Sequence, residues 1–314
     1  MKNAMLALLA CASPLACAAA PYLPQNGESY TLSSDGSRVE FFGPGMQSGG
    51  GLGIHKDDPR FSGWATGYKD LVYGEARGNP VAETWRTPEN ALGKAQGKLD
   101  DEGVSDGWNV VCLGDGGSIT LTFDNAICDG EGADFAVFEN AFGEDFLELG
   151  YVEVSTDGVN FVRFPCFYTD SNYQGPFDNS SDPSYVYNLA SKYQNGYGHG
   201  FDLAELAYAY DYAQNDGSAF SDEYRQHILD MFPLIDLDEI NYVKISDVVG
   251  DGTYLDSAGN IIYDPDKCVG SPGFDLDGVG VINSVPEPAA LAAAFALAAL
   301  AAASARRRRG VSAL

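Results

Sequence analysis

From Ser118 to Phe164 short β-type runs alternate with glycine-bearing turns, and this succession constrains the fold more than any other feature. Ser118 to Phe123 (SITLTF) leads through CDGEG to Asp134 to Phe138 (DFAVF). Tyr151 to Ser155 (YVEVS) then passes through Thr156-Asp157-Gly158 to Asn160 to Phe164 (NFVRF). An Asp-Gly between two such runs is a strong hairpin signal. Asn241 to Asp247 (NYVKISD) and Gly278 to Asn283 (GVGVIN) continue the pattern. With 37 Gly, 18 Tyr and 17 Phe against 4 Met, composition favours short strands joined by turns. No long helical period interleaves with the strands. The expectation is therefore all-β: one antiparallel β-sandwich over residues 21–285, not a parallel α/β sheet.

Two stretches break the strand rhythm. Residues 168–200 are rich in Tyr, Asn, Ser, Asp and Gly and read as a long ordered loop. Asp202 to Tyr212 and Ser221 to Phe232 look helical. Ser221 can cap the second helix, with Asp222 and Glu223 in its first turn and Pro233 just beyond its end. Together they form a small helical insertion over about 168–233. The stretch Gly43 to Gly107 is glycine-rich and irregular.

Charge excludes one class of partner. Of 314 residues, 45 are Asp or Glu and 18 are Lys or Arg. Between Pro21 and Val285 the balance is 13 basic against 44 acidic, a net charge of −31. Such a field repels phosphate backbones, so nucleic acid is not expected as a partner.

Both ends read as addresses. Residues 1–20 (MKNAMLALLACASPLACAAA) carry one Lys, a short apolar run and an A-x-A site at Ala16, Cys17 and Ala18, as in a secretory signal peptide. Leu8-Leu9-Ala10-Cys11 offers a lipoprotein alternative behind a very short apolar region. Near the other end Pro286, Glu287 and Pro288 precede 17 small or apolar residues, 289–305, and then Arg306, Arg307, Arg308 and Arg309. At ~1.5 Å per residue that segment is about 26 Å long, near the lower limit for a transmembrane helix. The arginines would stay on the cytoplasmic side. This tripartite tail, residues 286–310, resembles the PEP-CTERM sorting signal of bacteria that make extracellular polysaccharide. The resemblance implies processing by an exosortase, transient membrane anchoring through the C-terminal helix, and delivery to the cell surface or extracellular matrix.

Of six cysteines, Cys11 and Cys17 lie in the leader; Cys112, Cys128, Cys166 and Cys268 remain. An exported chain permits disulfides, and four cysteines allow three pairings. Cys112 with Cys128, flanking one strand–turn unit, is the first candidate.

The runs GDGGSITLTFDNAICDGEGADFAVFENAF, YVEVSTDGVNF, GYGHGFDLAEL, NYVKISDVVGDG and GFDLDGVGVIN resemble a group of exported bacterial cell-surface proteins over residues 90–283. That resemblance implies a jelly-roll, galactose-binding-like sandwich and brings no established reaction with it. Related surface proteins have been linked to capture of small ligands such as corrinoids.

Candidate chemistry begins with carboxylates. Asp247, Asp251, Asp256, Asn260, Asp264, Asp266, Asp275 and Asp277 form the densest polar stretch. Asp275 and Asp277 share one strand face, and Asp247 turns towards the apolar side. Like charges so placed repel, and buried carboxylates are costly unless compensated. A structural Ca²⁺, with six to eight oxygen ligands, would resolve both costs. The expected ligands are Asp247, Asp251, Asp256, Asn260, Asp275 and Asp277, although Asp251-Gly252 and Asp264-Pro265 are also ordinary turn formers. The EF-hand spacing is absent. A second group is Asp134, Glu139 and Asn140, either a ligand-facing rim or bonds to the following loop. Asp202 suits a helix cap.

Catalytic devices are lacking. His55, His199 and His227 are isolated, and H-E-x-x-H and phosphate-loop motifs do not occur. An enzyme is not expected, although paired carboxylates of a glycosidase can always be imagined in so acidic a chain. Aromatic residues are the other material: Trp64, Tyr68, Tyr73, Trp85 and Trp108, then Tyr168, Tyr173, Tyr185, Tyr187, Tyr193 and Tyr197. Exposed rings stack on sugars, and most rings in long loops pack those loops. The combined expectation is an exported, surface-sorted, non-catalytic binding protein, glycan- or matrix-associated and Ca²⁺-stabilised. The alternatives are a purely structural matrix protein, a polysaccharide-cleaving enzyme or a small-ligand capture protein.

Overall fold

The computed structural model describes residues 29–32, 39–42, 53–76, 78–97, 109–141, 146–168, 170, 173–175, 183–193, 195–265, 268 and 270–285. The leader 1–20, the tail 286–310 with its apolar segment 289–305, Trp108 and Asp266 lie outside the described residues. No helix among the described residues is long and apolar enough to cross a membrane.

Eleven strands build two antiparallel sheets: β1 (Ile54–His55), β2 (Gly63–Trp64), β3 (Gly67–Val72), β4 (Val111–Cys112), β5 (Ser118–Ile127), β6 (Phe135–Glu139), β7 (Gly150–Ser155), β8 (Val162–Arg163), β9 (Tyr197–Phe201), β10 (Ile240–Asp247) and β11 (Asp275–Val281). Sheet I runs β1-β9-β6-β11-β2, with β4 also on β11; sheet II runs β8-β7-β10-β5-β3. Among the described residues the chain is mostly antiparallel β, with two α-helices, α1 (Ala204–Asn215) and α2 (Asp222–Met231).

One core lies between the sheets. Phe135, Val137, Leu276, Val279 and Val281 of sheet I meet Ile119, Leu121, Val152, Val154, Val243 and Ile245 of sheet II. Alternate residues of sheet II point outward, as the alternating runs require. Sheet I is covered on both faces: Ala136 and Phe138 turn away from the main core and pack with Ile54, Ala95, Phe61 and Trp64. That double burial is why DFAVF reads as a continuous apolar run. Under the loops beyond sheet II, Leu147, Leu149, Tyr151, Cys166, Val248 and Ile262 form a third cluster.

The two helices occur between β9 and β10, a shorter insertion than the expected 168–233, because β9 is a strand of sheet I. Ser221 caps α2, its Oγ accepting the Tyr224 N–H at 3.2 Å. Asp202 accepts the Ala204 N–H at 2.9 Å, one position before the cap. The stretch 168–200 is not loop throughout. Phe167–Tyr168 pairs with Val186–Tyr187, and β9 lies between β1 and β6 in sheet I. β9 (YGHGF) lacks an apolar signal because its glycines answer a packing need. A Cβ on Gly198 would come within 2.8 Å of the Phe138 ring.

The cysteines also differ from expectation: no disulfide links Cys112, Cys128, Cys166 and Cys268. Cys112 pairs with Asp275 at one end of β11. Cys128 bonds Asn283, beyond the other end. β11 separates them by about 20 Å at ~3.3 Å per residue, against a limit of about 7 Å between Cα atoms for a disulfide.

Gly198→Ala tests the close approach. Replacing Gly stabilises by about 0.4–1 kcal/mol through the unfolded chain, but overpacking costs about 1–3 kcal/mol. We expect a net loss in urea unfolding; an unchanged or higher midpoint would show that Phe138 yields freely.

Candidate functional site

The Ca²⁺ ligands expected from sequence do not converge. Asp247, at the end of β10 and 1% exposed, accepts the N–H groups of Phe274 at 2.7 Å and Gly116 at 2.8 Å. Asp277, buried in β11, accepts those of Gln96 and Gly97, both at 2.9 Å. Asp256 and Asn260 do come together: Asp256 takes the N–H groups of Tyr168, Ala258 and Asn260 and the Asn260 amide. Asp251 is exposed and closes a local turn onto Thr253. Asp264 accepts the Leu149 N–H at 2.5 Å. Backbone N–H groups are donors to Asp247, Asp256, Asp264 and Asp277 alike.

Asp275 stands apart from these. It is buried at the start of β11 opposite Cys112, and its Oδ1 has no hydrogen-bond partner among the described residues. Burial raises its pKa, with Asp247 adding to the rise and Cys112 and Asn140 opposing it. Glu139, Glu148 and Asp264 are likewise raised, chiefly by burial. Glu139 accepts the Ser191 hydroxyl at 2.6 Å. Asp134 is not grouped with Glu139 and Asn140, since β6 separates them.

Asp134 instead joins Asp129 and Asp202, each bringing a carboxylate oxygen within 4.8 Å of the others. These three can hold a cation, though acidic side chains also meet this way without one. Asp134 is raised to about 7 by burial, against hydrogen bonds from Leu203 and Asn283. Burial raises Asp202 to about 6 and Asp129 to a lesser extent. The turn CDGEGAD and the helix start GFDL carried this grouping in sequence, but nothing in one dimension joins two segments 70 residues apart.

The other constellation is a pocket of about 230 Å³ on the outer side of sheet II at its β8 edge. Tyr151 of β7, Arg163 of β8, Tyr224 of α2 and Tyr254 of the loop between β10 and β11 line it. Tyr151 and Tyr254 stack with centroids 6.0 Å apart. The Arg163 guanidinium lies 4.5 Å from the Tyr151 centroid and 5.3 Å from that of Tyr224. None of these residues stood out in sequence, because an Arg in an outward strand position carries no signal.

The aromatic residues singled out from sequence serve packing for the most part. Tyr168, Tyr187 and Tyr193 are buried, and Trp64 packs on Phe61 and Phe138. Tyr68 and Tyr173 are exposed. No protein-family model matches the chain, and no curated protein matches it.

The raised carboxylates set a pH dependence. Because Asp134, Asp202 and Asp247 have folded pKa values of about 7, 6 and 7, against about 3.9 unfolded, the native state holds more protons between these limits. Their contribution to stability is full below about pH 4 and is lost as pH rises through 6–7. In chelator, we expect a higher Tm at pH 5.5 than at pH 8. A Tm that rises over this interval would show that these groups are ionised and compensated.

Proposed function

We propose that the chain is an exported, surface-displayed binding protein without a catalytic cycle, and that its ligand is an extracellular glycan. The observation that carries this reading is the tyrosine-lined pocket at the edge of sheet II. Apolar rings beside a few polar groups are the usual lining of a saccharide site. We assign the two sheets to the jelly-roll, galactose-binding-like class of sandwich, whose loops and insertions carry binding sites. A structural Ca²⁺ is placed at Asp129, Asp134 and Asp202 in this reading, where three carboxylates already converge.

Export through residues 1–20 and sorting through Pro286-Glu287-Pro288, the apolar segment 289–305 and Arg306 to Arg309 belong to the same proposal. They rest on the tripartite order of that tail. Its processing partner would be an exosortase, with anchoring in the membrane before release.

The test is retention of the full-length protein on a polysaccharide panel, with Ca²⁺ and again with EDTA. We expect saturable binding to at least one polysaccharide, weakened by EDTA together with a fall in Tm. Tyr254→Ala should weaken it about 2- to 10-fold, the ~0.5–1.5 kcal/mol of one ring contact. Absence of binding by the folded protein in both conditions would overturn the glycan reading.

A further inference from the structure

Arg163 makes no ion pair among the described residues of a strongly acidic chain. Glu153, directly opposite it in the β7–β8 register, is committed to Lys244 at 2.8 Å. The Arg163 Nε is buried with no hydrogen-bond partner among the described residues. Aromatic faces surround the guanidinium instead, and those faces are fixed. Tyr151 donates its hydroxyl to the Leu255 carbonyl at 2.6 Å, and Tyr224 donates to the Arg163 carbonyl at 2.9 Å. The charge is therefore held between two rings and presented to the pocket.

Among the other titratable groups around it, Glu153 acts on the charge through space and none of the described residues forms an ion pair with it. His227 accepts the Arg163 backbone N–H on Nε2 at 3.0 Å. Burial and the adjacent Arg163 lower its pKa, so the ring is neutral and adds no cation. Asp256 lines the pocket, but its carboxylate is engaged by four N–H donors. Glu223 stands exposed at the rim, in the first turn of α2.

A partly desolvated guanidinium gains most from an anion, and its planar fork matches a carboxylate through two parallel N–H bonds. The pocket is smaller than the ~300–1,000 Å³ typical of drug-sized ligands, which limits the occupant to one small group. Tyr254 offers that group an aromatic wall. The net charge of the chain repels an acidic polymer at long range, but at physiological ionic strength screening confines this to about 8 Å. Contact groups then decide binding.

We propose that this pocket binds a carboxylate-bearing sugar, a hexuronate unit of an acidic glycan, with the carboxylate on Arg163 and the ring against Tyr254. This rests on the glycan reading above and names its ligand class.

The experiment is calorimetric titration of the full-length protein with glucuronate, galacturonate, glucose and acetate, repeated on Arg163→Gln, Arg163→Lys and Tyr254→Ala after their thermal unfolding is checked. We expect one uronate to bind at least 10-fold more tightly than glucose or acetate. Arg163→Gln should lose at least 10-fold, and Arg163→Lys should fall between it and the parent, since the ammonium keeps charge but not the fork. Tyr254→Ala, at a partly exposed position on the edge of the third cluster, should lose uronate affinity and leave acetate unchanged. Glucose binding as tightly as uronate, or full affinity in folded Arg163→Gln, would overturn this inference and leave the glycan reading standing. Equal binding of acetate and uronate would reduce the site to one for free carboxylates and overturn it too. Polysaccharide retention without any monosaccharide binding would place the glycan elsewhere. Failure of both experiments would remove the glycan reading itself.

Discussion

The architecture depends on buried carboxylates that tie loops to strand ends. Asp247 joins the turn at Gly116 to Phe274, and Asp277 holds Gln96 and Gly97, about 180 residues away in sequence. Asp134 receives Gly130, Leu203 and Asn283. Loop N–H groups have no ladder to bond to, and burying them unpaired is costly. One carboxylate satisfies two or three at once. The balance is close. Each charged hydrogen bond contributes about 1.5–3 kcal/mol, whereas desolvating an ion costs several kcal/mol. At Asp247 and Asp134 desolvation prevails, and both rise to about 7 despite their donors.

That use of acidity explains why so many aspartates between 247 and 277 resembled a metal site in sequence. The stretch is dense in Asp because the loop it encodes passes several strand ends, each needing an acceptor. Several of these aspartate oxygens hold backbone N–H groups. The Asp129–Asp134–Asp202 group was divided between the turn CDGEGAD and the helix start GFDL, and only the fold brings them to one place.

Strands buried on one face were legible: β5, β7 and β10 follow the alternating runs to within a few residues. Strands of two residues, such as β1, β2 and β4, are too short to show a period. β9 hid for a different reason. Its side chains were traded for glycine so that Phe138 could lie flat against the backbone. The α2 cap was legible because its chemistry is local, a serine oxygen and an N–H three residues on.

The pocket was illegible because three separated segments build it, and the helical insertion is what assembles them. The Ser221 N–H donates to the Ser257 carbonyl at 2.9 Å, fixing the start of α2 to the loop that carries Tyr254. Tyr224, one turn on, reaches the Arg163 carbonyl on the sheet edge. The Cys166 N–H bonds the Ser257 hydroxyl, which binds the same loop to the strand beyond β8. Without the insertion, β8 would be an exposed edge carrying Arg163 into solvent, where a guanidinium is fully hydrated and gains little from an anion. With it, one side of the guanidinium is desolvated between rings while the other faces a cavity of one-group size. The insertion thus converts an ordinary surface arginine into a directional anion receptor.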